Sequence, residues 1–160
     1  MNTNETQTLA GRLVTVFAKK GWTISTAESC TGGLIAACIT EVAGASAVLA
    51  GGCVSYSEAV KQNVLGVSGE ILRVHSAVSA ECAVAMAEGA RRLYNTDVAV
   101  SATGYAGPGG GTEKDPVGTV YLGLATKEKT VWKRIFLPNA TRDEVRREAV
   151  KTVLEMALNA

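Results

Sequence analysis

Residues 22–39 constrain the fold more than any other stretch of this chain. Trp22 and Ile24 alternate with Thr23 and Ser25, the period-two pattern of a half-buried strand. Thr26-Ala27-Glu28-Ser29-Cys30-Thr31-Gly32-Gly33 follows and leads into Leu34-Ile35-Ala36-Ala37-Cys38-Ile39, which reads as a buried helix. A strand turning through paired glycines into a helix commits the chain to packing helices on a sheet. It also sets a hydroxyl residue, Ser29, at a tight turn where a ligand can approach the backbone. The first amides of a helix lack intrahelical partners and carry the positive end of its dipole, so such a turn suits an oxyanion or phosphate.

Around this unit the sequence alternates strands and helices. Asn4 is placed to cap a first helix running to about Lys20, with Gly21 as its stop. Gly44-Ala45-Ser46 opens a short apolar stretch, and residues 51–56 read as a buried strand. Ser57 caps a helix over 58–65 closed by Gly66, and a short helix lies near 70–74. Ser79 caps a longer helix to about Tyr94 that buries Ala83, Met86, Ala87, Ala90 and Leu93. Residues 97–102 form a strand feeding a loop over 103–116. Residues 118–126 and 130–137 form a hairpin through Lys127-Glu128-Lys129. Thr141-Arg142-Asp143-Glu144 has capping-box form and starts a last helix to about Leu158. The pattern predicts one domain over residues 1–160, a single-domain α/β/α sandwich with a mixed sheet.

Composition narrows function mainly by exclusion. The formal charge is +1 over 160 residues, which gives no footprint for nucleic acid or an anionic membrane. No apolar run approaches the roughly 18 residues of a membrane span. The polar start, Met1-Asn2-Thr3-Asn4-Glu5-Thr6, lacks a signal pattern, and a cytoplasmic location is expected. Cys30, Cys38, Cys53 and Cys82 include no C-x-x-C pair and read as small core residues in a reducing compartment. His75 is the one histidine, and it sits in no motif. A Ser-His-Asp device therefore has a single candidate base, and the sequence points to a serine activated by another group.

Four groups of residues carry chemistry, each beside a plainer reading. Ser29 is a nucleophile or a helix-capping serine, and Cys30 beside it is a rival nucleophile or core. Lys61 is a solvated lysine, or a buried one whose lowered pKa lets a neutral amine take the serine proton. Tyr56 then orients or relays, or simply packs. Thr103-Gly104-Tyr105-Ala106-Gly107-Pro108-Gly109-Gly110-Gly111 is a mobile surface loop or a backbone cradle for a ligand. It is neither a Walker A loop nor G-x-G-x-x-G, because Thr112 stands where the third glycine would fall. Arg142 and Arg146 share a helix face, either to hold a phosphate or carboxylate or to pair with Asp143 or Glu148.

Taken together, Ala27 to Gly33, Tyr56 with Lys61, Ala77-Val78-Ser79, Thr103 to Gly111, Pro116-Val117-Gly118 and Arg142-x-x-x-Arg146 resemble the CinA C-terminal domain family. Its stand-alone members include nicotinamide-nucleotide amidases. The resemblance spans nearly the whole chain. It implies hydrolysis of nicotinamide mononucleotide to nicotinate mononucleotide and ammonia, with no metal or other cofactor. It implies Ser29 as nucleophile, Lys61 as base and Tyr56 as the third member. Thr31, Gly32 and Gly33 would face the oxyanion. Thr103, Gly104, Gly107, Gly109, Gly110, Arg142 and Arg146 would hold the rest of the substrate. A small-molecule substrate and a homo-oligomer are expected, with no nucleic-acid or membrane partner. The alternatives are a silent nucleotide-binding paralogue serving as a sensor or partner subunit, and a hydrolase using Cys30.

Overall fold

A computed structural model describes residues 3–160; Met1 and Asn2, part of the polar start noted above, lie outside the described residues. Helix α1 covers Thr3–Lys20, strand β1 Ile24–Glu28, and α2 Leu34–Thr40. After a 3-10 turn at Ala45–Ala47 come β2 (Leu49–Val54), α3 (Glu58–Asn63), α4 (Gly69–His75) and α5 (Ala80–Tyr94). Then follow β3 (Val98–Gly104), β4 (Thr119–Ala125), β5 (Thr130–Phe136) and α6 (Arg142–Leu158). The sheet has five strands in the order β2-β1-β3-β4-β5. Strand β1 pairs in parallel with β2 and β3, and β4 runs antiparallel to β3 and β5.

Alternation along the strands divides the core in two. Ile24, Val98, Val100, Ala102, Val120, Leu122 and Leu124 face the layer of α1, α2 and α6. Ala27 and Ala99 face the other layer, where α5 brings Cys82, Met86 and Ala90. At Gly123 helix α5 comes so near that a Cβ would sit 2.5 Å from the Ala83 carbonyl oxygen. The mixed sandwich expected from the sequence is therefore present.

The helix caps follow local chemistry. Ser57, Ser68, Ser79 and Thr141 each accept a first-turn amide, and Thr141 with Glu144 completes a capping box. Four expectations need correction. Helix α1 already includes Thr3, so Asn4 lies inside it rather than at its cap. Strand β1 is buried at every residue, not half-buried, because it is flanked on both edges and covered on both faces. Strand β2, expected to be buried, alternates between half-buried and exposed because it is an edge. Leu93, assigned to the core, is exposed.

The connections place the site. After β1 the chain crosses through α2 on one face of the sheet, while β3 is reached from α5 on the other. A crevice opens beyond the carboxyl ends of β1 and β3, where such parallel neighbours diverge. Ser29 follows β1 and the glycine loop follows β3, so both motifs arrive at that crevice.

Candidate active site

Lys61 lies on α3 yet is only 1% exposed. Its Nζ is 2.9 Å from Ser29 Oγ, 2.6 Å from the Ser55 carbonyl oxygen and 3.3 Å from that of Tyr56. No carboxylate is among these partners. A neutral amine has two N–H donors and one lone pair. The two carbonyls can take both donors, which leaves the lone pair for the serine hydroxyl. Burial holds the Lys61 amine below the usual lysine range. Glu58 and Cys53 oppose this more weakly than burial favours it; Cys82 and Cys30 would oppose it only as thiolates, and burial pushes those two thiols up to about 11 and about 12. Both stay protonated near neutrality, so they do not recharge the lysine.

The same fact separates Ser29 from its neighbour. Cys30 borders the cavity, but its buried thiol is a poor source of thiolate. Ser29 is the hydroxyl that meets the Lys61 amine.

The lowered lysine pKa also has a measurable consequence for stability. Between the folded and unfolded pKa values of Lys61 the unfolded chain binds the extra proton, so wild-type stability rises with pH through that window. Relative to Lys61→Met, the wild type is expected to gain stability steadily as pH is raised from neutral toward the ordinary lysine range. Denaturant unfolding of both proteins at each pH checks this, and a constant difference would mean that the amine is not displaced.

The turn after Ser29 is held from two sides. Glu28, only 1% exposed, accepts from the amides of Ile35 at 2.8 Å and Ala36 at 3.2 Å. The anion at the start of α2 is thus supplied by the protein, which corrects the expectation that the helix start is open to a ligand. From α6, Arg146 Nε donates to the Cys30 carbonyl at 3.1 Å and Nη2 to that of Thr31 at 2.9 Å. Gly33 adopts a φ of 102°, a conformation that glycine reaches without a Cβ penalty.

A cavity of about 240 Å³ opens over the Ser29–Lys61 pair. It is bordered by Ser29, Tyr56, Lys61, Val78, Thr103, Gly104, Tyr105, Gly107, Gly109 and Arg142, among others. Arg142 spans it, donating to the Gly107 carbonyl at 2.7 Å and to the Tyr56 hydroxyl at 3.3 Å. Thr103 is buried and donates to the Ala77 carbonyl at 2.6 Å, fixing one wall. A larger groove of about 600 Å³ near Glu88, Arg91, Thr126 and Lys129 does not include the Ser29–Lys61 pair.

Several expected site residues stand elsewhere. Thr31, Gly32, Gly33, Gly110 and Arg146 do not border the cavity. The Gly32 amide donates to the Ser29 carbonyl, and the Arg146 guanidinium is engaged by the turn carbonyls. Tyr56 is 63% exposed and its hydroxyl meets Arg142, while its main-chain oxygen is what reaches Lys61. His75 lies 3.7 Å from Glu81, away from the cavity. The roles of Glu28 and of the Ser55 carbonyl were missed. The carboxylate seven residues before Ile35 offered a signal, whereas a main-chain acceptor leaves none.

The CinA C-terminal domain family profile matches residues 6–160, almost the entire chain. The chain belongs to the CinA C-terminal domain family. This CinA domain is 47% identical over 153 residues to a CinA-like protein of Myxococcus xanthus, covering 95% of the chain but 36% of that relative. The chain spans about a third of the length of such curated relatives. The fold matches a crystal structure of the competence/damage inducible protein CihA from Agrobacterium tumefaciens with a TM-score of 0.95 and 42% identity. That match covers 97% of this chain and 94% of the other. A CinA superfamily protein from Klebsiella pneumoniae matches with a TM-score of 0.91 and 36% identity, over 95% and 94% of the two chains. Among the described residues of this CinA domain, no helix is long and apolar enough to cross a membrane. Nor do they hold a group of three or more His, Cys, Asp or Glu arranged to bind a metal.

Proposed function

We propose that this CinA domain is an amidase that converts nicotinamide mononucleotide to nicotinate mononucleotide and ammonia. The observation that carries the reading is the buried Lys61 amine 2.9 Å from Ser29 Oγ, with its other partners both carbonyl oxygens. Lys61 takes the serine proton as Ser29 attacks the carboxamide carbon, forming a tetrahedral adduct. The Cys30 amide, directly after the nucleophile, is the proposed first donor to its oxyanion. The protonated lysine then passes its proton to the departing nitrogen, releasing ammonia and leaving an acyl-serine. Water, deprotonated by the restored amine, cleaves that ester to yield the carboxylate and free Ser29.

Tyr56 contributes its carbonyl to orient the lysine and its hydroxyl to hold Arg142. Thr103 and Gly104 wall the carboxamide end, and Gly107 and Gly109 face the ribose phosphate. Ammonia release over a panel of pyridine nucleotides and simple amides tests the reading; no release from any of them would reject it.

Arg142, rather than Arg146, is the proposed phosphate ligand; what supports this is that it borders the cavity and Arg146 does not. Arg142→Ala is expected to lower kcat/KM for the mononucleotide about ten- to a hundredfold, and to cost much less with nicotinamide riboside, which lacks the phosphate. Arg146→Ala should lower activity on both substrates by the same factor, since it loosens the turn carrying Ser29. The reverse pattern would return the phosphate to Arg146.

A further inference from the structure

The glycine loop walls the cavity; Arg142 holds its outgoing limb at the Gly107 carbonyl, and its returning limb is held from the other side. Its two ends bind each other: the Tyr105 amide donates to the Thr119 carbonyl at 2.9 Å, and the Gly118 amide to the Tyr105 carbonyl at 2.7 Å. Between them a dozen residues form a closed excursion of the compact surface-loop kind. The outgoing limb carries Gly107 and Gly109 to the cavity. The returning limb packs against it, because a Cβ on Gly107 would meet Val117 Cγ1 at 2.5 Å, and one on Gly111 would meet the Val117 amide nitrogen at 2.7 Å. Whatever fixes the returning limb therefore fixes the cavity wall.

Asp115 is that fixed point. Its amide donates to Thr112 Oγ1 at 2.9 Å, and its carbonyl accepts from the Thr112 amide at 2.8 Å, closing a turn. Its buried carboxylate accepts from the Tyr121 hydroxyl at 2.8 Å and from Arg134 Nε at 3.3 Å, both on the sheet. Arg134 also reaches the Lys114 carbonyl at 3.5 Å and Thr119 Oγ1 at 3.4 Å, and it lies 5.9 Å from the Tyr121 ring centroid. The Tyr121 ring packs with Val78 and Tyr105, two walls of the cavity. Burial, and then the bond to Asp115, push the Tyr121 phenol up, so it remains a donor.

We infer that Asp115, Tyr121 and Arg134 form a clasp that sets the glycine loop over Ser29, making them positioning residues for substrate binding rather than for the chemical step. They touch neither Ser29 nor Lys61. They act through Val117 and Gly107 on one side and through Tyr105 on the other. The binding part of the inference rests on the amidase reading, whereas the anchoring of the loop does not.

The test compares wild type with Tyr121→Phe, which keeps the ring, and Arg134→Gln, a half-exposed position that does not endanger the core. Hydrogen exchange of peptides spanning residues 105–118 is expected to quicken about tenfold in each variant, with helix α6 unchanged. KM for nicotinamide mononucleotide should rise about tenfold while kcat and its pH profile stay within about twofold. Unchanged loop exchange in both variants overturns the clasp. Faster exchange with a fall in kcat and an unmoved KM overturns its role in binding. If the wild type releases no ammonia, the amidase reading fails, and the exchange measurement still decides whether the clasp holds the loop.

Discussion

Ser29→Ala is expected to abolish ammonia release from nicotinamide mononucleotide, by a factor on the order of 10⁴ or more, while the protein stays folded. Among the described residues, Ser29 Oγ is the one side-chain hydrogen-bond partner of the buried lysine amine. Removing it takes away the proposed nucleophile, and Lys61 keeps the Ser55 and Tyr56 carbonyls as partners. Binding should survive, because the groups proposed to hold the nucleotide are untouched. Calorimetric titration with the mononucleotide and an unfolding curve, run beside the assay, separate lost chemistry from lost structure. A well-folded Ser29→Ala protein with near-normal turnover would dismiss the nucleophile assignment. Cys30→Ala should retain most activity, as expected of a thiol pushed up to about 12.

Lys61→Ala should lose activity to a similar degree, and Lys61→Arg should not restore it. Arginine stays charged throughout the accessible pH range and cannot accept the serine proton. In the wild type kcat/KM should climb with pH and level off below the usual lysine range, since burial disfavours the ammonium form. The direction is fixed by the role: a base must be deprotonated, so acid suppresses the rate and alkali restores it. If Lys61→Arg keeps most of the activity, Lys61 serves as a positive charge and the proton goes elsewhere.

Much of this arrangement was legible before any coordinates. Capping is a local matter, and the serines before α3, α4 and α5 and the Thr141 box declare their helices through one or two bonds each. The strand-to-helix turn at Ser29 and the hairpin of β4 and β5 were likewise carried by short-range pattern. Pattern failed where the outcome depended on neighbours distant in sequence. Strand β2 looks as apolar as a central strand, but only strand order makes it an edge. Leu93 has the right helical phase, yet the fold leaves it exposed.

The Arg142 and Arg146 pair shows the same limit within the site. Their spacing put both on one face, as expected. It could not tell that one guanidinium meets a cavity while the next binds the carbonyls of a turn 116 residues earlier. Helical spacing specifies which side chains travel together, and the tertiary partner decides what each of them does.

That last bond has a temporal meaning. Ser29 and Lys61 leave the ribosome early, but Arg146 belongs to α6, the final helix of the described chain. Until that helix docks, the carbonyls of Cys30 and Thr31 lack their arginine, and Gly107 lacks the contact from Arg142. Nascent chains stalled before residue 142 would therefore carry Ser29 and Lys61 without the arginines that hold the turn and the loop. The Ser29 turn and the glycine loop would gain these contacts together, when α6 folds into place.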